Sequence, residues 1–160
     1  MRKGSLVVVA LAFFMSCSRG NYGTVTHRDR NGQPDQWIYR IDKDTYKIAI
    51  DTNGDGRPDV VKTYKKSQLA RVECDRNFDG KVDLFQEYSR GVLIREIHDD
   101  DFDGKPEAVR TFRPNGSLAM IERDPRERGF VDIVEYYDDS GKLLRRESRF
   151  GNAESLPRPF

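Results

Sequence analysis

The sequence predicts an all-β protein: tandem 24-residue β-hairpin repeats forming an elongated antiparallel sheet or solenoid, with aspartate-rich loops along one edge. Three observations carry this prediction. Five nine-residue segments superimpose without gaps: HRDRNGQPD (27–35), DTNGDGRPD (51–59), DRNFDGKVD (75–83), DDDFDGKPE (99–107) and DPRERGFVD (124–132), with starts 24, 24, 24 and 25 residues apart. Glycine holds the sixth place in all five, at Gly32, Gly56, Gly80, Gly104 and Gly129, and a carboxylate holds the ninth. Between the segments, short β-branched and aromatic runs alternate with polar reversals, and neither half of a period reaches helix length.

In chain order, a leading strand is expected near Tyr22 to Thr26. Each later period sends out a run of strand formers, DVVKTY (59–64), DLFQEY (83–88), EAVRTF (107–112) or DIVEYY (132–137), ending on Tyr64, Tyr88, Phe112 or Tyr137. The reversals read KKSQ (65–68), SRGV (89–92), RPNGS (113–117) and DDSGK (138–142), with Gly, Asn, Pro and Asp where a turn needs them. A Leu-led run then returns to the next loop, so each period is one hairpin and the array has about ten strands besides the leading one. Alternation is imperfect: Val60, Lys62 and Tyr64 share one face, Val61 and Thr63 the other, so both faces are part apolar and part wet. With 36% hydrophobic and 34% charged residues, the core is lean. The repeat domain is assigned to 27–150, and the proline-bearing stretch 151–160 is expected to be a loose tail.

The first sixteen residues stand apart: Arg2 and Lys3, an unbroken apolar run from Leu6 to Met15, then Ser16 before Cys17. A basic start, a short apolar stretch and a small-residue cleavage site describe a secretory signal, too short for the roughly 20 residues that span a bilayer. Phe14-Met15-Ser16-Cys17 resembles the lipobox of bacterial lipoproteins, though Phe14 and Met15 depart from the family's usual choices. The resemblance implies removal of 1–16, a lipid on Cys17, a tether over 17–26 and attachment to membrane. Ser18 is similar to the residue that sorts such proteins to the outer membrane. Without the signal, 26 Lys+Arg face 27 Asp+Glu, a balance that implies no nucleic-acid partner. If Cys17 carries lipid, Cys74 has no disulfide partner and is expected to be a small residue at a strand end.

The loop pattern D-x-[DN]-x-D-G-x-x-[DE] gathers oxygen ligands from places 1, 3, 5 and 9, with glycine at place 6 supplying the positive φ of a reversal. Oxygen-only, carboxylate-rich coordination selects calcium over softer metals. Loop 2 offers Asp51, Asn53, Asp55 and Asp59 with the carbonyl of Arg57; loop 3 offers Asp75, Asn77, Asp79 and Asp83 with the carbonyl of Lys81. Loop 4 offers Asp99, Asp101, Asp103 and Glu107 with the carbonyl of Lys105, while Asp100 is expected to face outward. In loop 1, His27 stands at place 1, leaving Asp29, Asn31 and Asp35, which are expected to bind weakly or not at all. In loop 5, Arg126 and Arg128 take places 3 and 5, where their guanidinium groups are expected to pair with Asp124 and Asp132 in place of an ion. Places 1 to 9 resemble an EF-hand loop and, more closely, the calcium loops of integrin-type β-propellers and thrombospondin type 3 repeats. The place-12 acid of an EF-hand would fall on Lys62, Gln86 and Arg110, so the resemblance implies the ion site and not the fold. The hairpin halves are also similar, weakly, to the tyrosine-aspartate repeats of bacterial surface proteins.

These features point to about three calcium ions in an envelope protein serving as a calcium-stiffened spacer or binding surface for a protein or glycan partner. The alternative is a calcium-responsive subunit of an envelope complex. A hydrolase is disfavoured: His27 and His98 have no nucleophile or acid at catalytic spacing, and His98 is expected to be a solvated strand-end residue.

Overall fold

The structure, a computed structural model, describes residues 23–30, 32–124 and 131–149. They form eleven strands and no helix: β1 (Thr24–Arg28), β2 (Pro34–Arg40), β3 (Thr45–Ile50), β4 (Val60–Lys65), β5 (Gln68–Cys74), β6 (Leu84–Ser89), β7 (Val92–His98), β8 (Ala108–Phe112), β9 (Leu118–Arg123), β10 (Ile133–Tyr137) and β11 (Leu143–Ser148). All lie in one antiparallel sheet whose spatial order is the sequence order. β1 and β11 do not pair, so the sheet is open. Of the arrangements the sequence allowed, the extended sheet is the one adopted. The leading strand sits two residues later than expected, because Thr24 and Val25 pair with Ile38 and Trp37 and carry His27 and Arg28 into the ladder. Cys17 and the signal, the tether up to 22, residue 150 and the tail 151–160 lie outside the described residues.

A meander of this kind places every odd-to-even connection on one edge. The connections after β3, β5, β7 and β9 are the acidic segments, and that after β1 is the degenerate first one. Residues 125–130, which include Arg126 and Arg128, lie outside the described residues.

Much of the core lies in one row two residues inside this loop edge, whose buried members are Trp37, Ala49, Phe85, Ile97, Val109 and Val134. Cross-strand partners run Trp37, Ala49, Val61, Glu73, Phe85, Ile97, Val109, Glu122, Val134 and Glu147. Phe85, Ile97, Val109 and Val134 form a buried cluster with Val131, and Met120 and Tyr136 pack against it. Each fully buried aliphatic or aromatic side chain contributes roughly 1.5–3 kcal/mol, so the firmest packing lies between β6 and β10, beneath loops 4 and 5. β1 is exposed throughout, and β11 nearly so.

On the opposite edge, β4–β5 and β6–β7 close through two-residue turns, Lys66-Ser67 (φ 49° and 62°) and Arg90-Gly91 (φ 52° and 78°). Two positive φ values in succession give the turn whose twist matches antiparallel strands. Beside each of four hairpin turns the register slips by one residue, so Ala70, Ile94, Ala119 and Leu144 have no opposite number. The residue across each slip is the recurring aromatic: Tyr64, Tyr88, Phe112 or Tyr137. These are β-bulges, which sharpen the twist at the turn edge.

Candidate metal centre

Two backbone hydrogen bonds per repeat set the frame of each loop. The place-1 amide donates to the place-9 carbonyl of the preceding loop: Asp51 to Asp35 (2.9 Å), Asp75 to Asp59 (2.7 Å), Asp99 to Asp83 (2.9 Å) and Asp124 to Glu107 (2.9 Å). The place-9 amide donates to the carbonyl just before place 1: Asp59 to Ile50 (2.8 Å), Asp83 to Cys74 (2.8 Å), Glu107 to His98 (2.9 Å) and Asp132 to Arg123 (2.9 Å). The sheet ladder thus continues one residue into each loop. It fixes the first and last acids of a loop side by side, two residues beyond that row.

Inside the loops, side-chain oxygens bind backbone amides. Asp51, Asp75 and Asp99 accept from the place-6 glycine amide through Oδ2, at 2.7, 2.7 and 2.8 Å. The place-9 carboxylates of Asp59, Asp83 and Glu107 accept from the place-2 amides of Thr52, Arg76 and Asp100, at 2.7, 2.6 and 2.6 Å. Asn53, Asn77 and Asp101 each accept the place-5 amide (2.8, 3.1 and 3.1 Å). Asp55, Asp79 and Asp103 accept the place-7 amides of Arg57, Lys81 and Lys105 (2.8, 2.8 and 2.7 Å). The glycines Gly56, Gly80 and Gly104 turn the chain at φ 87°, 90° and 90°.

The result is convergence. One oxygen from each of Asp51, Asp55 and Asp59 lies within 4.8 Å of the others, and the same holds for Asp75, Asp79 and Asp83, and for Asp99, Asp101, Asp103 and Glu107. Asp51, Asp59, Asp83 and Asp99 are buried. Burial raises the carboxyls of Asp75, Asp99 and Glu107 above their ordinary values. In loop 4, Asp99 Oδ1 and Glu107 Oε1 are buried with no hydrogen-bond partner. Leaving such oxygens unmatched is costly, and a cation among them would satisfy both. The donor set, oxygen throughout, suits a hard metal ion, so the three middle loops could each hold one.

In loop 1, His27 Nδ1 lies 2.6 Å from Asp35 Oδ1, joining place 1 to place 9 directly. Asp29 is used in a tight turn, accepting from the Gln33 amide at 2.7 Å, and Asn31 lies outside the described residues. Asp124 and Asp132 are buried at the ends of loop 5, whose arginines are not described. His98 ends β7 as expected but is buried, not solvated, because Glu96 (3.2 Å) and Arg110 (3.1 Å) hold its ring. Cys74 ends β5, half-buried, and desolvation raises its thiol, the opposite of what a reactive cysteine needs. Asp100 is exposed, as expected.

Sequence reasoning passed over Arg76, at place 2 of loop 3, whose guanidinium reaches Asp99 O (2.6 Å) and Asp100 Oδ1 (3.1 Å) in the next loop. The 24-residue register already placed it beside that neighbour. Sequence reasoning gave Lys81 and Lys105 a carbonyl role only and missed their ammonium groups: that of Lys105 pairs with Asp103, lowering that carboxyl, and Lys81 Nζ stands 3.9 Å from Asp79.

Fold and site together define a class: an open β-hairpin meander with acidic loops on one edge that could hold metal ions. No family model matches the chain, and no curated protein matches it. Among solved structures it is similar to the crystal structure of the pneumococcal O-GlcNAc transferase GtfA in complex with UDP and GlcNAc, at 14% identity and a TM-score of 0.47, over 74% of this chain. The chain spans about a fifth of that protein, 21% of its length, and a likeness at this level says nothing of activity.

Proposed function

We propose that this is a calcium-binding envelope protein, held to membrane by lipid on Cys17, whose sheet serves as a calcium-stabilised structural or protein-interaction module. The observation that carries the reading is the gathering of acid oxygens in loops 2, 3 and 4, with buried oxygens of Asp99 and Glu107 lacking any protein partner. Calcium takes six to eight oxygens in flexible geometry, whereas magnesium keeps several waters and rarely accepts an all-protein cage. Neighbouring loops lie two strands apart, about 10 Å, which is close to one Debye length at physiological ionic strength. An acidic edge so spaced repels itself until cations fill it. Extracellular modules bind calcium at about 10⁻⁴ to 10⁻³ M, which suits a protein outside the cytoplasm. Anchoring and location are supported by the Phe14 to Cys17 pattern and the apolar run before it.

Calcium titration of metal-free protein by calorimetry tests the ion. Saturable uptake at millimolar calcium or below, lost when Asp55, Asp79 and Asp101 are all changed to Asn, is the expected outcome. No uptake would remove the reading. Incorporation of labelled palmitate, abolished by Cys17→Ala, tests the anchor, and a pull-down from envelope extract would identify the partner.

A further inference from the structure

We infer that loops 3 and 4 form a coupled pair of calcium sites, joined through Asp99 and bridged by Arg76, so that they fill together rather than one by one. The inference rests on calcium being the ligand, as proposed above. Asp99 is the meeting point. It is 1% exposed, it contributes a carboxylate oxygen to the loop 4 cluster, and its Oδ1 has no hydrogen-bond partner. Its amide donates to the carbonyl of Asp83 (2.9 Å), the place-9 acid of loop 3. Its own carbonyl accepts from the Arg76 guanidinium (2.6 Å), and Arg76 is the loop 3 residue whose amide donates to the Asp83 carboxylate (2.6 Å). One residue therefore belongs to loop 4 through its side chain and to loop 3 through both its backbone groups.

The Arg76 side chain tightens this link by pairing with Asp100 Oδ1 at 3.1 Å and lying over the Phe102 ring at 5.5 Å, so it grips loop 4 at three points. Loop 2 has no such reach: its place-2 residue is Thr52, whose hydroxyl turns back to its own Asp59 at 2.5 Å. Asp83 and Asp99 are both 1% exposed and joined through their backbones, so negative charge on the two carboxylates is poorly screened by water. An ion in either loop neutralises part of that charge and orders the shared peptide. The second ion then enters a site already arranged, which is positive cooperativity.

The test is a calcium titration of the ¹⁵N-labelled chain, following the amides of Gly80 and Gly104, which report loops 3 and 4 through their bonds to Asp75 and Asp99, with Gly56 reporting loop 2. Gly80 and Gly104 should share one steep transition, distinct in shape from Gly56. Asp101→Asn, at an exposed position, should weaken loop 4 and also lower the affinity reported by Gly80 by about fivefold or more. Arg76→Ala should separate the two curves and make each shallower while both loops still bind. Independent curves in the native chain, or Arg76→Ala curves superimposing on native ones, would overturn the coupling while leaving calcium binding intact. An absence of calcium shifts at all three glycines would instead remove the functional reading beneath it.

Discussion

Lys66 and Ser67 illustrate how a single position accepts strain to satisfy its hairpin. Both take positive φ, yet neither is glycine, asparagine or aspartate. The double change Lys66→Asn with Ser67→Gly supplies the residues this turn favours and should stabilise the fold by about 1 kcal/mol, read from the midpoint of urea unfolding. An unchanged midpoint would show that the strand register, not the turn, sets this hairpin's stability. Gly56 is the reverse case. At φ +87° it has open space around the position a Cβ would take, so Gly56→Ala meets no clash and its cost is conformational alone. That cost should be about 1 kcal/mol, together with weaker calcium uptake by loop 2, because the Gly56 amide is one of the bonds holding Asp51.

At the level of the loop, whether a carboxylate's charge favours or opposes folding depends on whether an ion is present. Burial raises the Asp75, Asp99 and Glu107 carboxyls, so in metal-free protein their neutral forms fit the fold better. The stabilisation they contribute is fully present below the ordinary carboxylate range and is lost as pH rises through their raised values. A bound cation reverses the preference by stabilising the ionised forms. The difference in melting temperature between calcium-loaded and metal-free protein should therefore widen from about pH 4 to about pH 7. A difference that stays constant across that interval would break the link between these carboxyls and the ion. Loop 1 acts as the internal contrast, since His27 already occupies Asp35 there.

At the scale of the molecule, the described strands of this open meander pack on their neighbours alone, and the buried cluster they form lies in β6–β10 with Val131. Ions are therefore expected to supply a large share of its stability. At ten times the dissociation constant each site contributes about 1.4 kcal/mol, or roughly 4 kcal/mol for three, against the 5 to 15 typical of a domain. Chelation should lower the melting temperature by on the order of 10 °C. Identical melts with and without a chelator would mean that packing alone holds the sheet. The exposed terminal strands carry Arg28 at one end and Arg145 and Arg146 at the other, charges that discourage edge-to-edge growth.

The period of the acidic segments determined by itself the run of hairpins and the edge on which the loops lie, because a 24-residue repeat of two short strands leaves room for little else; that the strands form one open sheet and not a solenoid was decided by the tertiary structure. The gathering of the acids that could hold an ion was legible for the same reason: their spacing is local, and glycine at place 6 closes the loop on them. What only the tertiary structure decided arises between repeats. The bulges at Ala70, Ile94, Ala119 and Leu144 depend on how two strands register against each other, and no local pattern marks them. The burial of His98 depends on Glu96 two residues before it and on Arg110 from the next strand. The grip of Arg76 on loop 4 spans 24 residues of chain and exists because the sheet sets the two loops side by side.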